Sequence, residues 1–194
     1  MATIVSRWGE HGARLAPLGV NAELFTHLGF CLGTDVNCTP DEAWALVADI
    51  TRIGEFSLEC VGARWIGGHD TPTVGSQFEG INRKVVDGDE LIWIRPCTVV
   101  VADPCRAFGF VAGDRYDGSP ASRWLCRFRS TSSGRCRIDV TFRHLPDGQS
   151  GLRHQADADP QHAADLISDR VAELEHGVRT SLRRMKDALQ SSKP

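Results

Sequence analysis

The chain has 194 residues, enough for one domain that buries roughly 70% of its unfolded surface without disulfide or metal staples. Its 22 Lys plus Arg against 25 Asp plus Glu give a formal net charge of -3, so no basic excess points to nucleic acid or an anionic membrane as partner. Residues 1–10 hold no apolar leader, and no apolar run approaches the ~20 residues of a membrane span, so a cytoplasmic protein without integral membrane insertion is expected.

Residues 1–26 show weak periodicity with scattered Gly and Pro, and are expected to be an extension that packs on the domain or stays partly mobile. The domain itself is expected to span 27–190. A first strand is expected within 27–38. Thr39-Pro40-Asp41-Glu42 then supplies an N-cap, a proline at the first helical position and acids in the first turn. Ala43, Trp44, Leu46, Val47 and Ile50 give that helix an apolar face, and Thr51 is expected to cap a second short turn through Phe56.

From Glu59 the apolar period falls to about two, punctuated by Gly67-Gly68, Asp87-Gly88-Asp89, Asp103-Pro104, Asp117-Gly118-Ser119-Pro120 and Ser132-Ser133-Gly134. Strands are expected over 59–66, 76–83, 90–102, 106–112, 121–130 and 135–144, and the short links favour an antiparallel meander. Leu145 to Asp159 reads as a polar linker. Pro160 then opens a helix over 161–189, in which Ile167, Val171, Leu174, Val178, Leu182, Met185 and Leu189 recur at steps of three and four.

Alternation assigns strand faces. Phe78, Gly80 and Asn82 share one face and Glu79 and Arg83 the other; Trp124, Cys126 and Phe128 oppose Arg123, Arg127 and Arg129; Ile138, Val140, Phe142 and His144 point inward. The segment from Trp93 to Val99 is apolar on both faces. Trp93, Arg95, Cys97 and Val99 are placed inward there unless a bulge at Pro96 reverses the phase. Phe78, Asn82, Trp93, Phe110, Trp124 and Phe142 are thus candidate ligand-binding residues, with Asn82 as a polar anchor. Arg95 and His144 are the catalytic candidates, Arg95 for an oxyanion and His144 for a proton. An alternative for His144 is a strand end wetted by solvent, and for the aromatics an ordinary filled core.

The seven cysteines are odd in number, form no C-x-x-C pair and read as reduced core residues. Neither they nor the seven histidines show metal-ligand spacing, so no metal is expected. With no P-loop, G-x-G-x-x-G or nucleophile elbow, no cofactor is expected either. Asn37-Cys38-Thr39 matches a glycosylation sequon by coincidence in a chain read as cytoplasmic.

The chain resembles the START-like (SRPBCC) superfamily, in particular its polyketide cyclase/dehydratase-type members. The residues that carry the resemblance are Thr39 to Ile50, Gly75 to Arg83, Trp93, Val99 to Pro104, Phe108-Gly109-Phe110, Ser122-Arg123-Trp124 and Ser181 to Lys186. The resemblance implies an α+β helix-grip fold: a seven-stranded antiparallel sheet curved around a long C-terminal helix, with two short helices between strands 1 and 2 and a cavity between sheet and helix. Linkers 84–89, 112–121 and 145–159, with residues 57–58, would fall at one end and form the mouth.

Members of the superfamily include aromatase/cyclases, dehydratases and carriers. Two readings therefore stand: binding of a small hydrophobic molecule such as a lipid, isoprenoid, quinone or polyketide-like compound, or a cofactor-free polyketide cyclase/dehydratase in the same cavity. A third is an interaction module whose interior is filled. Tyr116, the single tyrosine, lies in a Gly- and Asp-bordered loop rather than a strand, which weakens it as a general acid.

Overall fold

The computed structural model describes residues 22–191 except 87, 116 and 133, and all their side chains except those of 22 and 132. Its elements in chain order are α1 (Ala22–Thr26), β1 (Gly29–Val36), α2 (Pro40–Ala48), a 3-10 turn (Ile50–Arg52), α3 (Ile53–Phe56), β2 (Cys60–Ile66), β3 (Gln77–Val86), β4 (Asp89–Asp103), β5 (Ala107–Gly113), β6 (Pro120–Ser132), β7 (Arg135–His144), α4 (Gly151–Ala158) and α5 (Ala163–Ser191). The strands form one antiparallel seven-stranded sheet in the order β1-β7-β6-β5-β4-β3-β2. Strands β2 to β7 lie side by side in chain order, and β1 closes onto β7 as the non-sequential neighbour, so the fold is the expected helix-grip arrangement.

Local sequence explains where α2 begins. Thr39 accepts the Glu42 backbone N–H while the Glu42 carboxylate takes the Thr39 N–H at 2.7 Å, a reciprocal capping box with Pro40 at the first helical position. The following turn differs from expectation: Asp49 caps it, accepting from the Thr51 N–H and hydroxyl, because a carboxylate two residues back reaches the free amides better than the Thr51 hydroxyl does.

The expected linker over 145–159 instead contains α4. Ser150 caps it by accepting from Arg153 N–H, and its buried side is only Arg153 and Ala156, too sparse an apolar stripe to announce a helix. The last helix runs 163–191 rather than 161–189.

β4 is regular through Pro96, which pairs with Glu79; the phase break lies between Val99 and Val101 instead. Trp93, Arg95, Cys97 and Val99 therefore share the inner face, while Ile92 and Ile94 lie exposed on the outer one.

Two apolar cores result. The larger joins the inner sheet face to α2 and the C-terminal half of α5 through Val36, Phe56, Phe78, Val99, Phe108, Phe128, Ile138, Val178 and Leu182. The smaller joins Phe25 and Leu28 to Ala156, Ala163 and Ile167, so the last residues of the expected N-terminal extension are built into the domain as α1. The expectation for residues 1–21 lies outside the described residues. All seven cysteines are free thiols, but Cys31 is exposed and Cys105 sits half-buried in the β4–β5 turn, so those two are not core residues.

Candidate ligand-binding site

The cross-strand register lines the inner face with rings. Phe30, Phe142, Trp124 and Phe110 stand opposite one another across β1, β7, β6 and β5. Trp124 and Phe142 lie 4.7 Å apart between ring centroids, and Phe30 and Phe142 5.4 Å apart. A second group runs edge to face from Trp65 to Phe78 at 5.7 Å and from Phe78 to Phe110 at 5.1 Å, so the two groups meet at Phe110. Phe78, Phe110, Trp124 and Phe142 thus form one continuous surface, as T-shaped and tilted ring pairs prefer.

Those rings are not equally covered. Phe78 and Phe142 are 1% and 5% exposed, whereas Phe110, Trp124 and Trp93 on the same face are only half-buried. The backbone of α5 packs mainly on β1, α2, α3 and α4 rather than on β3–β6. Side chains on the middle strands consequently face a helix that stands away from them.

Asn82 pairs in register with Trp93, and Gly80 between Phe78 and Asn82 pairs with Arg95, so these residues share one corner of the inner face. Asn82 is 9% exposed, and its Nδ2 reaches only the Gly80 carbonyl, at 3.5 Å. Such a long bond leaves most of the amide's hydrogen-bonding capacity unspent. Arg95 donates from Nε to the Gly113 carbonyl. Burial pulls its guanidinium below the ordinary value, against the opposing influence of Cys97, Asp114 and Glu59.

Five polar residues at this corner were not anticipated. Arg170 of α5 pairs with Glu59 at 2.6 Å and with Glu173 at 3.0 Å, and Lys84 of β3 pairs with Glu173 at 2.8 Å, so an ionic chain ties the N-terminal half of α5 to the β2–β3 side of the sheet. Asp114, at the end of β5, is 2% exposed. A signal for Arg170 exists in the sequence: it lies three residues after Ile167 and four before Leu174, inside the apolar stripe, where a charged residue has to meet a partner. Glu59 and Asp114 sit at strand ends, where alternation carries no information about facing.

His144 is placed apart from this corner. It is 5% exposed beneath α1 and α4, so it is not a solvent-wetted strand end; its ring lies 4.6 Å from that of Phe25. Its Nδ1 and Nε2 lie 2.8 Å from Leu145 O and Ser150 Oγ respectively. A carbonyl only accepts, so Nδ1 carries the proton and Nε2 accepts from the Ser150 hydroxyl. Burial, with Arg153 and Arg95 nearby, drives the imidazole down to about 4. Tyr116 lies outside the described residues.

The end of the sheet that holds the β3–β4 and β5–β6 turns is closed unevenly. On the β1–β7 side the small core seals it, with Arg153 stacked 4.6 Å over Phe25 and bonded to the Pro146 carbonyl. Among the described residues, no comparable apolar core covers the β3–β5 side, where Asn82, Trp93 and Arg95 lie.

Sheet order, the long closing helix and the helices between β1 and β2 give this chain the helix-grip fold. Among solved structures it is similar to a Polyketide_cyc-like protein from Corynebacterium glutamicum, with 26% identity and a TM-score of 0.59 over 84% of this chain and 91% of that one. It is also similar in fold to an aromatase/cyclase from Streptomyces sp. R1128, with 12% identity and a TM-score of 0.57 over 84% of this chain and 93% of that one. A Thermus thermophilus protein matches at 9% identity and a TM-score of 0.59, over 86% of this chain and 99% of that one. No family model and no curated protein matches the chain. No helix among the described residues is long and apolar enough to cross a membrane.

Proposed function

We propose that the protein binds a small hydrophobic molecule, of the lipid, isoprenoid, quinone or polyketide-like class, between the inner sheet face and α5. The observation that carries this reading is the half-burial of Phe110, Trp124 and Trp93 on the inner face, beside Phe78 and Phe142, which are almost fully covered. Large apolar side chains left accessible on an inner face gain when an apolar guest displaces water, at roughly 25 cal/mol per Å² covered. Asn82 and Arg95 supply the few oriented polar contacts such a guest needs, and the β3–β5 side of the sheet end is its way in.

The test is native mass spectrometry of the purified protein for a co-purified small molecule, followed by tryptophan fluorescence titration with lipids, isoprenoids, quinones and aromatic polyketides. Saturable quenching that Trp124→Ala weakens more than tenfold, about 1.4 kcal/mol, supports the reading. No response to any member of the panel overturns it in favour of a filled interior.

A second reading, a cofactor-free polyketide cyclase/dehydratase, is favoured by one observation: a guanidinium held partly desolvated at the inner face, where it stabilises a developing enolate oxygen more strongly than it would in water. In that role Arg95 binds the oxyanion and Asn82 orients it. His144 would have to leave both Leu145 and Ser150 to move a proton, so Arg95 is the preferred catalytic candidate. Arg95→Met should then abolish turnover of a poly-β-ketone while changing ligand affinity less than tenfold; in a carrier no turnover exists to lose.

A further inference from the structure

At the opposite end of the sheet, the last turn of α2, the 3-10 turn and the β2–β3 connection enclose a surface pocket of about 480 Å³ lined by Trp44, Ala48, Asp49, Trp65, Asp70 and Pro72 among others. We propose that this pocket binds a small organic cation of the alkylammonium class.

The pocket's hydrogen-bonding inventory is one-sided. The Trp44 indole N–H is already given to the Ala107 carbonyl at 3.1 Å, and the Thr51 hydroxyl at its rim is given to Asp49 Oδ1 at 2.5 Å. Asp49 Oδ2 and the Asp70 carboxylate make no bond among the described residues, and no described Lys or Arg lines the pocket. The guanidinium of the neighbouring Arg52 is bonded to both oxygens of Glu55 and interacts with the Asp49 carboxylate only through space.

Ala45, Ala48 and the C-cap Asp49 belong to the end of α2, whose last turn contains no basic residue. The last carbonyls of a helix lack intrahelical partners and present the negative end of its dipole. The pocket is thus lined by two tryptophans, two aspartates and the end of a helix, a set in which hydrogen-bond donors are scarce.

Indole walls select the kind of cation. A methylated or alkylated ammonium is attracted to an aromatic face and sheds its weakly held water readily. A bare metal ion wants a shell of oxygens, and among the described residues no group of three or more His, Cys, Asp or Glu side chains could hold one. The volume lies in the ordinary range for small-molecule sites, roughly 300–1,000 Å³. Trp44 is anchored through its N–H, and Trp65 is braced at 76° against Phe78, so both walls are preformed. The Trp65–Phe78 contact lies between this pocket's lining and the Phe110–Trp124 surface.

The test follows the indole resonances of the five tryptophans by NMR while choline is titrated into the full chain at constant ionic strength, beside its neutral carbon isostere 3,3-dimethylbutan-1-ol and beside potassium. Choline is expected to shift the Trp44 and Trp65 signals saturably in the millimolar range, typical of an exposed cation–aromatic site, while the alcohol and potassium do not. The Asp49→Asn, Asp70→Asn double variant keeps an amide oxygen to cap the 3-10 turn and should weaken choline about fivefold or more. Equal titration by the alcohol, stronger binding of potassium, an unchanged affinity in the double variant, shifts confined to Trp93 and Trp124, or no saturation at all would each overturn the proposal.

Discussion

His144 shows how a buried imidazole is kept neutral. Its two nitrogens are committed in opposite senses, Nδ1 donating and Nε2 accepting, and the Ser150 hydroxyl that completes the pair also accepts from Arg153 N–H as the cap of α4. Above pH 6.5 neither folded nor unfolded chain binds the proton, and the group costs nothing. As pH falls from 6.5 to about 4 the unfolded chain protonates while the folded one does not, so stability declines, by about 3 kcal/mol at the limit. Urea melts of the wild type and His144→Gln across pH 4 to 7 check this: the variant should lack that part of the acid slope.

Ser150→Ala removes the α4 cap and strands Nε2 in a buried site, at an expected cost of about 1–3 kcal/mol in the same melts. Arg95 and Asn82 are the contrasting case, polar groups on the same sheet face with bonding capacity left over.

At the scale of elements, the close approach of α3 to β2 rests on one glycine. A Cβ built on Gly54 would lie 2.2 Å from the Val61 carbonyl oxygen, backbone that cannot swing aside. Gly54→Ala should force the two elements apart and cost about 1–3 kcal/mol, measurable as a shift in the denaturation midpoint without a change in slope. Separation there also moves Glu59, at the start of β2, away from Arg170, so the variant should weaken ligand binding in the inner site as well as stability. The ionic chain from Lys84 through Glu173 and Arg170 to Glu59 is partly exposed and contributes mainly by fixing where α5 lies.

For the whole molecule, α5 is held at its two ends and stands off the middle of the sheet. The small core of Phe25, Ala156, Ala163 and Ile167 grips its start, and Val178, Leu182 and Leu189 join the main core towards its end. A guest between them binds only the folded chain. At a hundred times its Kd it should add about 2.7 kcal/mol of stability, raising Tm by roughly 5–10 °C in a thermal shift assay, and Trp124→Ala should abolish most of that rise at the same ligand concentration.

Strand faces, the N-cap of α2 and the stripe of α5 were legible in the sequence, because alternation, capping and helical periodicity are local properties of the chain; the helix-grip architecture was implied by the resemblance those segments carry. Phe78, Trp124 and Phe142 could be assigned inward by counting residues along their strands. What α4 is, why His144 is neutral, and that Arg170 meets Glu59 were decided by tertiary structure: α4 has almost no apolar stripe, the state of an imidazole depends on what covers it, and a charge pair spanning 111 residues has no local trace. The pocket beneath Trp44 and Trp65 belongs to the same class, since its walls come from a helix end, a strand and a loop that only folding brings together.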